Sequence, residues 1–144
     1  MKSKLKAMAV LAGILSLNVS VLAADAKTDQ KPPDQKGTRP FKNVKVAEFE
    51  KLRADKQNIV LDVRTQKEFE IGHIPGAINI DVNKPDFQDK VSHLDKKKTY
   101  LVHCAAGGRS ARACDKMRGL EFSRLYNLEG GFSAWEQAGN KAGK

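Results

Sequence analysis

The chain has 144 residues, enough for one domain with a modest core, and carries 26 Lys and Arg against 17 Asp and Glu, a formal net charge of +9. Such a balance favours anionic partners at long range, but the basic residues are scattered and form no nucleic-acid recognition motif, so that class is set aside. Two cysteines make no disulfide framework; the three histidines lie too far apart for a metal site, and neither a Walker-type nor a dinucleotide glycine loop occurs, so no metal or cofactor is expected.

Residues 1–23 read as a secretory signal peptide. Lys2, Lys4 and Lys6 form a basic start, an apolar run follows from Met8 to Leu22, and the small residues around Ala23 suit cleavage before Ala24, with Ala24 and Ala26 as alternative ends. The competing reading, an uncleaved anchor, is disfavoured because Ser16, Asn18 and Ser20 interrupt a run shorter than the ~20 apolar residues a membrane span needs. The mature protein is then expected to be periplasmic or secreted, with no membrane attachment. Residues 24–39 are polar, contain Pro32 and Pro33, and read as a disordered leader. The globular domain is expected over 40–140, with 141–144 as a tail.

Within the domain, 41–46 is a candidate strand, and Val46, Phe49 and Leu52 recur at helical spacing up to about Asp55. Residues 59–63 are continuously apolar except for Asp62, as in a strand buried on both faces of a parallel sheet. A short helix over 66–71, a turn over 72–76 and a strand over 77–80 follow. Phe87, Val91 and Leu94 share one face of a helix over 85–94. A strand over 99–103 leads into a helix over 110–118 that Gly119 is placed to stop. The last strand spans 124–128, and Gly130-Gly131 turns into a helix over 132–138. This alternation predicts an α/β fold, a small, mostly parallel sheet of about five strands with helices on both faces. Such sheets bind ligands at the carboxyl ends of their strands, the edge on which Cys104 must lie.

The chemistry concentrates at that edge. Cys104 ends a strand and faces the first turn of a helix, where the helix dipole favours the thiolate. Ala105, Ala106, Gly107 and Gly108 have almost no side chain, so their N–H groups can close around something small. The stretch from Cys104 to Ser110 resembles the Cys-x-x-Gly-x-Arg-Ser active-site loop of rhodanese-like sulfurtransferases. The segment 61–80, with Asp62, Arg64, Glu68, Gly72, His73, Pro75, Gly76 and Ala77, resembles that family's upstream signature, and 125–139 resembles its C-terminal end.

The resemblance implies that Cys104 takes a sulfane sulfur from a small anionic donor such as thiosulfate and that a thiol or cyanide acceptor removes it, with a protein acceptor also open. The amides of Ala105, Ala106, Gly107, Gly108, Arg109 and Ser110 would bind the anionic intermediate, as oxyanion donors do. Arg109 would hold the donor or fix the loop, pairing with an anion, Asp62 or Glu68. Ser110 is read first as a helix N-cap, with a reach to the persulfide as the second reading. Asp62 and Arg64 would support the loop. His73 and His103 are read as structural, His103 because neighbours on a strand point to opposite faces. Cys114 is read as an ordinary helix-face cysteine rather than a resolving thiol, and Trp135 as core.

Two other functions compete. The string His103-Cys104…Arg109-Ser110 also resembles the signature of cysteine phosphatases and arsenate reductases, but only four residues separate Cys104 from Arg109 where the phosphatases have five. A binding module without catalysis is disfavoured by the presence of Cys104. The leader gives the first testable expectation. N-terminal sequencing of protein recovered from the periplasmic fraction should find a start at about Ala24, and membrane-bound material that retains Met1 would refute soluble export.

Overall fold

The structure is a computed structural model and describes residues 41–144; the expected signal peptide and leader lie outside the described residues. Five strands, β1 (Lys42–Val44), β2 (Ile59–Asp62), β3 (Ile78–Asn79), β4 (Tyr100–His103) and β5 (Leu125–Leu128), form one sheet in the order β1-β5-β4-β2-β3. Every pair in it is parallel. The connecting helices are α1 (Val46–Arg53), α2 (Gln66–Ile71), α3 (Phe87–Ser92), α4 (Gly108–Gly119) and α5 (Gly131–Gln137). Each expected element is present, most of them shortened by a residue or two at their ends.

Strand alternation divides the core into two halves. Leu61, Tyr100, Val102 and Leu125 join Phe87 and Val91 of α3 and Ala113, Cys114 and Met117 of α4 on one side of the sheet. Val60, Leu101 and Leu128 join Phe49 of α1 and Phe132 and Trp135 of α5 on the other. The central strand β4 is buried at all four positions, which is why it lacks the polar alternation of a half-exposed strand. Trp135 is core, as expected, and its indole N–H is satisfied by Glu50, 2.7 Å away. No helix among the described residues is long and apolar enough to cross a membrane.

The end of α4 corrects the sequence reading. Gly119 lies inside the helix, and the left-handed residue is Glu121, with φ +69°. The N–H of Phe122 returns to the carbonyl of Met117 at 3.2 Å and that of Glu121 to Arg118 at 2.9 Å, the pair of bonds that makes a Schellman ending. A non-glycine residue in this region costs about 1–2 kcal/mol. The compensation is Phe122, 3% exposed, packed edge-on against Tyr100 at 5.4 Å. The tail also has a place, because Gly143 exchanges two backbone hydrogen bonds with His73, at 2.8 and 3.1 Å.

Cys114 stands in the α3–α4 half of the core with no exposure, and burial foremost pushes its thiol up to about 12. A thiol so held stays protonated at neutral pH and is a poor resolving nucleophile. Cys114→Ser is therefore expected to lower stability by about 1–3 kcal/mol, because a hydroxyl replaces an apolar thiol in a dry core. Chemical denaturation measures this. An unchanged midpoint would contradict the packing described.

Candidate functional site

The carboxyl ends of all five parallel strands share one edge of the sheet, and the loop from Cys104 to Gly107 leaves the middle strand there. Cys104 itself is 1% exposed, recessed at the floor of the loop. The turn from loop to helix needs Gly107, which has φ +102°. A Cβ at this position would also lie 3.3 Å from both the Gly130 nitrogen and the Leu128 carbonyl oxygen. That turn starts α4 at Gly108, two residues before the expected position.

Ser110 is therefore not the N-cap. It lies in the first turn, and its hydroxyl is 3.0 Å from the Gly107 carbonyl and 3.4 Å from the Cys104 sulfur. One hydroxyl proton serves one of these acceptors at a time. A neutral thiol leaves it with the carbonyl; a thiolate, a charged acceptor, draws it over. The sulfur further receives the N–H of Gly107 at 3.0 Å, and the main-chain amides of Ala106 and Ser110 also act to lower the thiol. Burial pushes the Cys104 thiol up, but the Ser110 hydroxyl and these three amides outweigh it, and the net shift is downward. Of the six amides expected to bind the anionic intermediate, that of Gly107 hydrogen-bonds the Cys104 sulfur in the structure.

Arg109 is engaged by protein. Its two terminal nitrogens bind both oxygens of Glu68 at 2.9 and 2.7 Å, a bidentate pair between residues 41 positions apart. Glu68 also closes the capping box of α2, accepting from the N–H and hydroxyl of Thr65. Arg109 thus fixes the loop, one of its two expected roles, by tying the first turn of α4 to α2. The pair uses two of the five guanidinium N–H groups.

Asp62 and Arg64 pair with each other, at 2.6 Å and nearly without exposure, and neither faces the sulfur. Arg64 donates to the Gly72 carbonyl at 2.7 Å and lies over the ring of Phe132, 4.1 Å from its centre. Their support of the site runs through α5. His103 faces away from Cys104, between the rings of Phe49 and Phe132. Burial above all holds its imidazole down at about 4, so it is neutral and no base for the thiol. His73 stacks on Phe69 and bonds its carbonyl, a structural role.

The α5 start was missed by sequence reasoning. Gly131, with φ +57°, touches the loop so closely that a Cβ would fall 2.5 Å from the Cys104 carbonyl oxygen. The next two N–H groups, of Phe132 and Ser133, donate to the carbonyls of Cys104 and Ala105 at 2.7 and 3.0 Å. The available signal was the Gly130-Gly131 pair, read as a turn but equally the mark of close backbone approach.

A profile of the rhodanese-like domain matches residues 45–138, and the chain belongs to that family. Among its relatives, protein HIGH ARSENIC CONTENT 1 of Arabidopsis thaliana is 40% identical over 89 residues, which are 55% of this chain and 53% of the plant protein, about half its length. The thiosulfate sulfurtransferase GlpE of Ectopseudomonas mendocina is 32% identical over 95 residues, 66% of this chain and 84% of its own length. The crystal structure of a rhodanese-related protein from Thermoplasma volcanium superposes with a TM-score of 0.64 at 30% identity, covering 72% of this chain and 98% of that one.

The Arg109–Glu68 pair sets an acid limit on the site. The arginine foremost holds the Glu68 carboxyl at about 2, below its ordinary 4.5. A carboxyl whose folded value is depressed contributes stability above its unfolded value and loses it as pH falls through the folded value. Thermal melts should show that contribution disappearing between about pH 4.5 and pH 2. In Glu68→Gln this part of the acid limb should be absent, and an identical limb in the variant would refute the assignment.

Proposed function

We propose that the protein is a sulfurtransferase that carries sulfane sulfur on Cys104 as a persulfide. The observation behind this reading is the pair of donors on the Cys104 sulfur, the Ser110 hydroxyl and the Gly107 N–H, which together with the neighbouring main-chain amides lower the thiol and form a compact anion cradle. Membership of the rhodanese-like family and similarity to sulfurtransferases such as GlpE support the reaction class.

In the first step the Cys104 thiolate attacks the outer sulfur of thiosulfate. A bond forms between the two sulfurs, the sulfur–sulfur bond of thiosulfate breaks, and sulfite leaves with the electron pair. In the second step an acceptor thiolate or cyanide attacks the outer sulfur of the persulfide and returns the Cys104 thiolate. Splitting one transfer into two is nucleophilic catalysis, and the amides supply charge stabilisation at each stage. The recessed position of Cys104 suits this relay, since a persulfide places the transferable sulfur about 2 Å farther out. The expected leader makes the working compartment the periplasm or the exterior, and a protein acceptor is compatible with a sulfur carried to the rim.

Phosphoryl or arsenate chemistry fits less well. It needs a loop wide enough to surround a tetrahedral anion with the arginine on two of its oxygens, whereas only four residues separate Cys104 from Arg109. It also needs a general acid for an alkoxide leaving group, and Asp62 is buried against Arg64. Intact-mass measurement of the purified protein should show a gain of one sulfur atom with thiosulfate and its loss with cyanide. Cys104→Ser should abolish both and reduce thiosulfate-to-cyanide turnover by about a thousandfold or more, while Cys114→Ser keeps most of it. Aryl phosphate hydrolysis without a persulfide would overturn the proposal.

A further inference from the structure

We propose that the first turn of α5 is the positioning element of the sulfur cradle: the main-chain N–H groups of Phe132 and Ser133, brought up by Gly131, hold the loop peptides in the orientation that aims their amides at Cys104. The argument begins with peptide geometry. In a trans peptide the C=O of one residue and the N–H of the next point in opposite directions across a rigid plane, and the described residues contain no cis peptide bond. The Ser133 N–H draws the Ala105 carbonyl toward α5 at 3.0 Å. The amide of Ala106, in the same plane, is thereby turned away from α5; it helps to lower the Cys104 thiol and directly precedes the Gly107 N–H, which donates to the sulfur at 3.0 Å. The Phe132 N–H, at 2.7 Å from the Cys104 carbonyl, fixes the preceding plane in the same sense.

Without these two anchors nothing in the loop's own sequence selects one face of each plane. Ala105 and Ala106 carry no polar side chain, and Gly107 has a wide choice of backbone conformations. The anchors are themselves held in register. Phe132 is clamped by the Arg64 guanidinium over its ring and stacks on Trp135, with ring centres 5.8 Å apart. Gly131 is the residue that permits the approach, because any Cβ there collides with the Cys104 and Ala105 main chain at 2.5–2.7 Å. The role belongs to main-chain donors and a missing side chain, so no functional side chain marks it in the sequence.

The consequence rests on the sulfur-transfer reading, but the geometry is tested without turnover. Ser133 has an exposed side chain and lies in the first turn of α5, where proline is tolerated because the N–H makes no bond within the helix. Ser133→Pro therefore deletes the donor to Ala105, and Ser133→Ala keeps it. The readout is the pH dependence of Cys104 alkylation by iodoacetamide in a Cys114→Ala background. Ser133→Pro should raise the Cys104 midpoint by about one pH unit, a tenfold fall in the thiolate-to-thiol ratio, as expected for one weakened hydrogen bond to a charged group. Ser133→Ala should leave it in place. Gly131→Ala, which pushes α5 off the loop, should move it in the same direction as Ser133→Pro.

A folded Ser133→Pro protein with an unchanged midpoint would overturn the proposal, as would an equal shift in Ser133→Ala. If the variants do not fold, NMR on the wild type decides. The Phe132 and Ser133 amide protons should shift with the Cys104 ionisation midpoint, and their indifference to it refutes the coupling. A wild type that transfers no sulfur would sink the proposed function while leaving the alkylation comparison valid.

Discussion

The site depends on the direction in which a few peptide planes face. Between Cys104 and Ser110 the chain must stop being a strand, reverse around a sulfur and begin a helix, and each carbonyl and N–H on the way needs a partner. The solution sorts them by side. Carbonyls of Cys104 and Ala105 face outward to α5, while the amide of Gly107 faces inward to the sulfur. A buried thiol would ordinarily resist ionising. Here the Ser110 hydroxyl, followed by the main-chain amides, reverses that tendency.

The charged side chains around this cradle are paired or neutral. Arg109 is neutralised by Glu68, Asp62 by Arg64, and His103 is uncharged because burial outweighs the pull of Asp62. The thiolate is thus stabilised by fixed dipoles rather than by an imidazolium. This distinguishes the arrangement from a cysteine–histidine pair, in which a base takes the thiol proton. In the proposed sulfur transfer, fixed dipoles would need no proton transfer and would stabilise the sulfur anion before and after each step. Ion pairs are used here as mechanical ties, Arg109–Glu68 joining α4 to α2 and Asp62–Arg64 bracing α5 and the Gly72 turn.

Much of the fold was legible in the chain because it is written in local periodicity. The unbroken apolar run of β2, the spacing of Phe87 and Val91 and the glycine-rich exit from β4 each depend on residues only a few positions apart. The same holds for Cys104, whose neighbours in sequence are also its neighbours in space. The opposite facing of His103 and Cys104 followed from strand geometry alone. The stop at the end of α4 was misread because a glycine is the usual left-handed residue; what made Glu121 acceptable there is the burial of Phe122 against Tyr100, 22 positions earlier.

By itself, then, the sequence determined the alternation of strands and helices, the parallel sheet and the place of the nucleophile on its carboxyl edge, since all three follow from short-range pattern and strand direction. Tertiary structure alone decided what surrounds that nucleophile. It assigned Arg109 to Glu68 across 41 residues, moved Ser110 from a cap to the sulfur, buried Cys114 and brought the Gly131 turn against the loop. Ser110 apart, six positions from Cys104, each of these brings together residues that lie far apart in the chain, and an isolated backbone carbonyl or an arginine has several chemically equivalent partners. Only the packing of α2 and α5 beside the loop removes that choice.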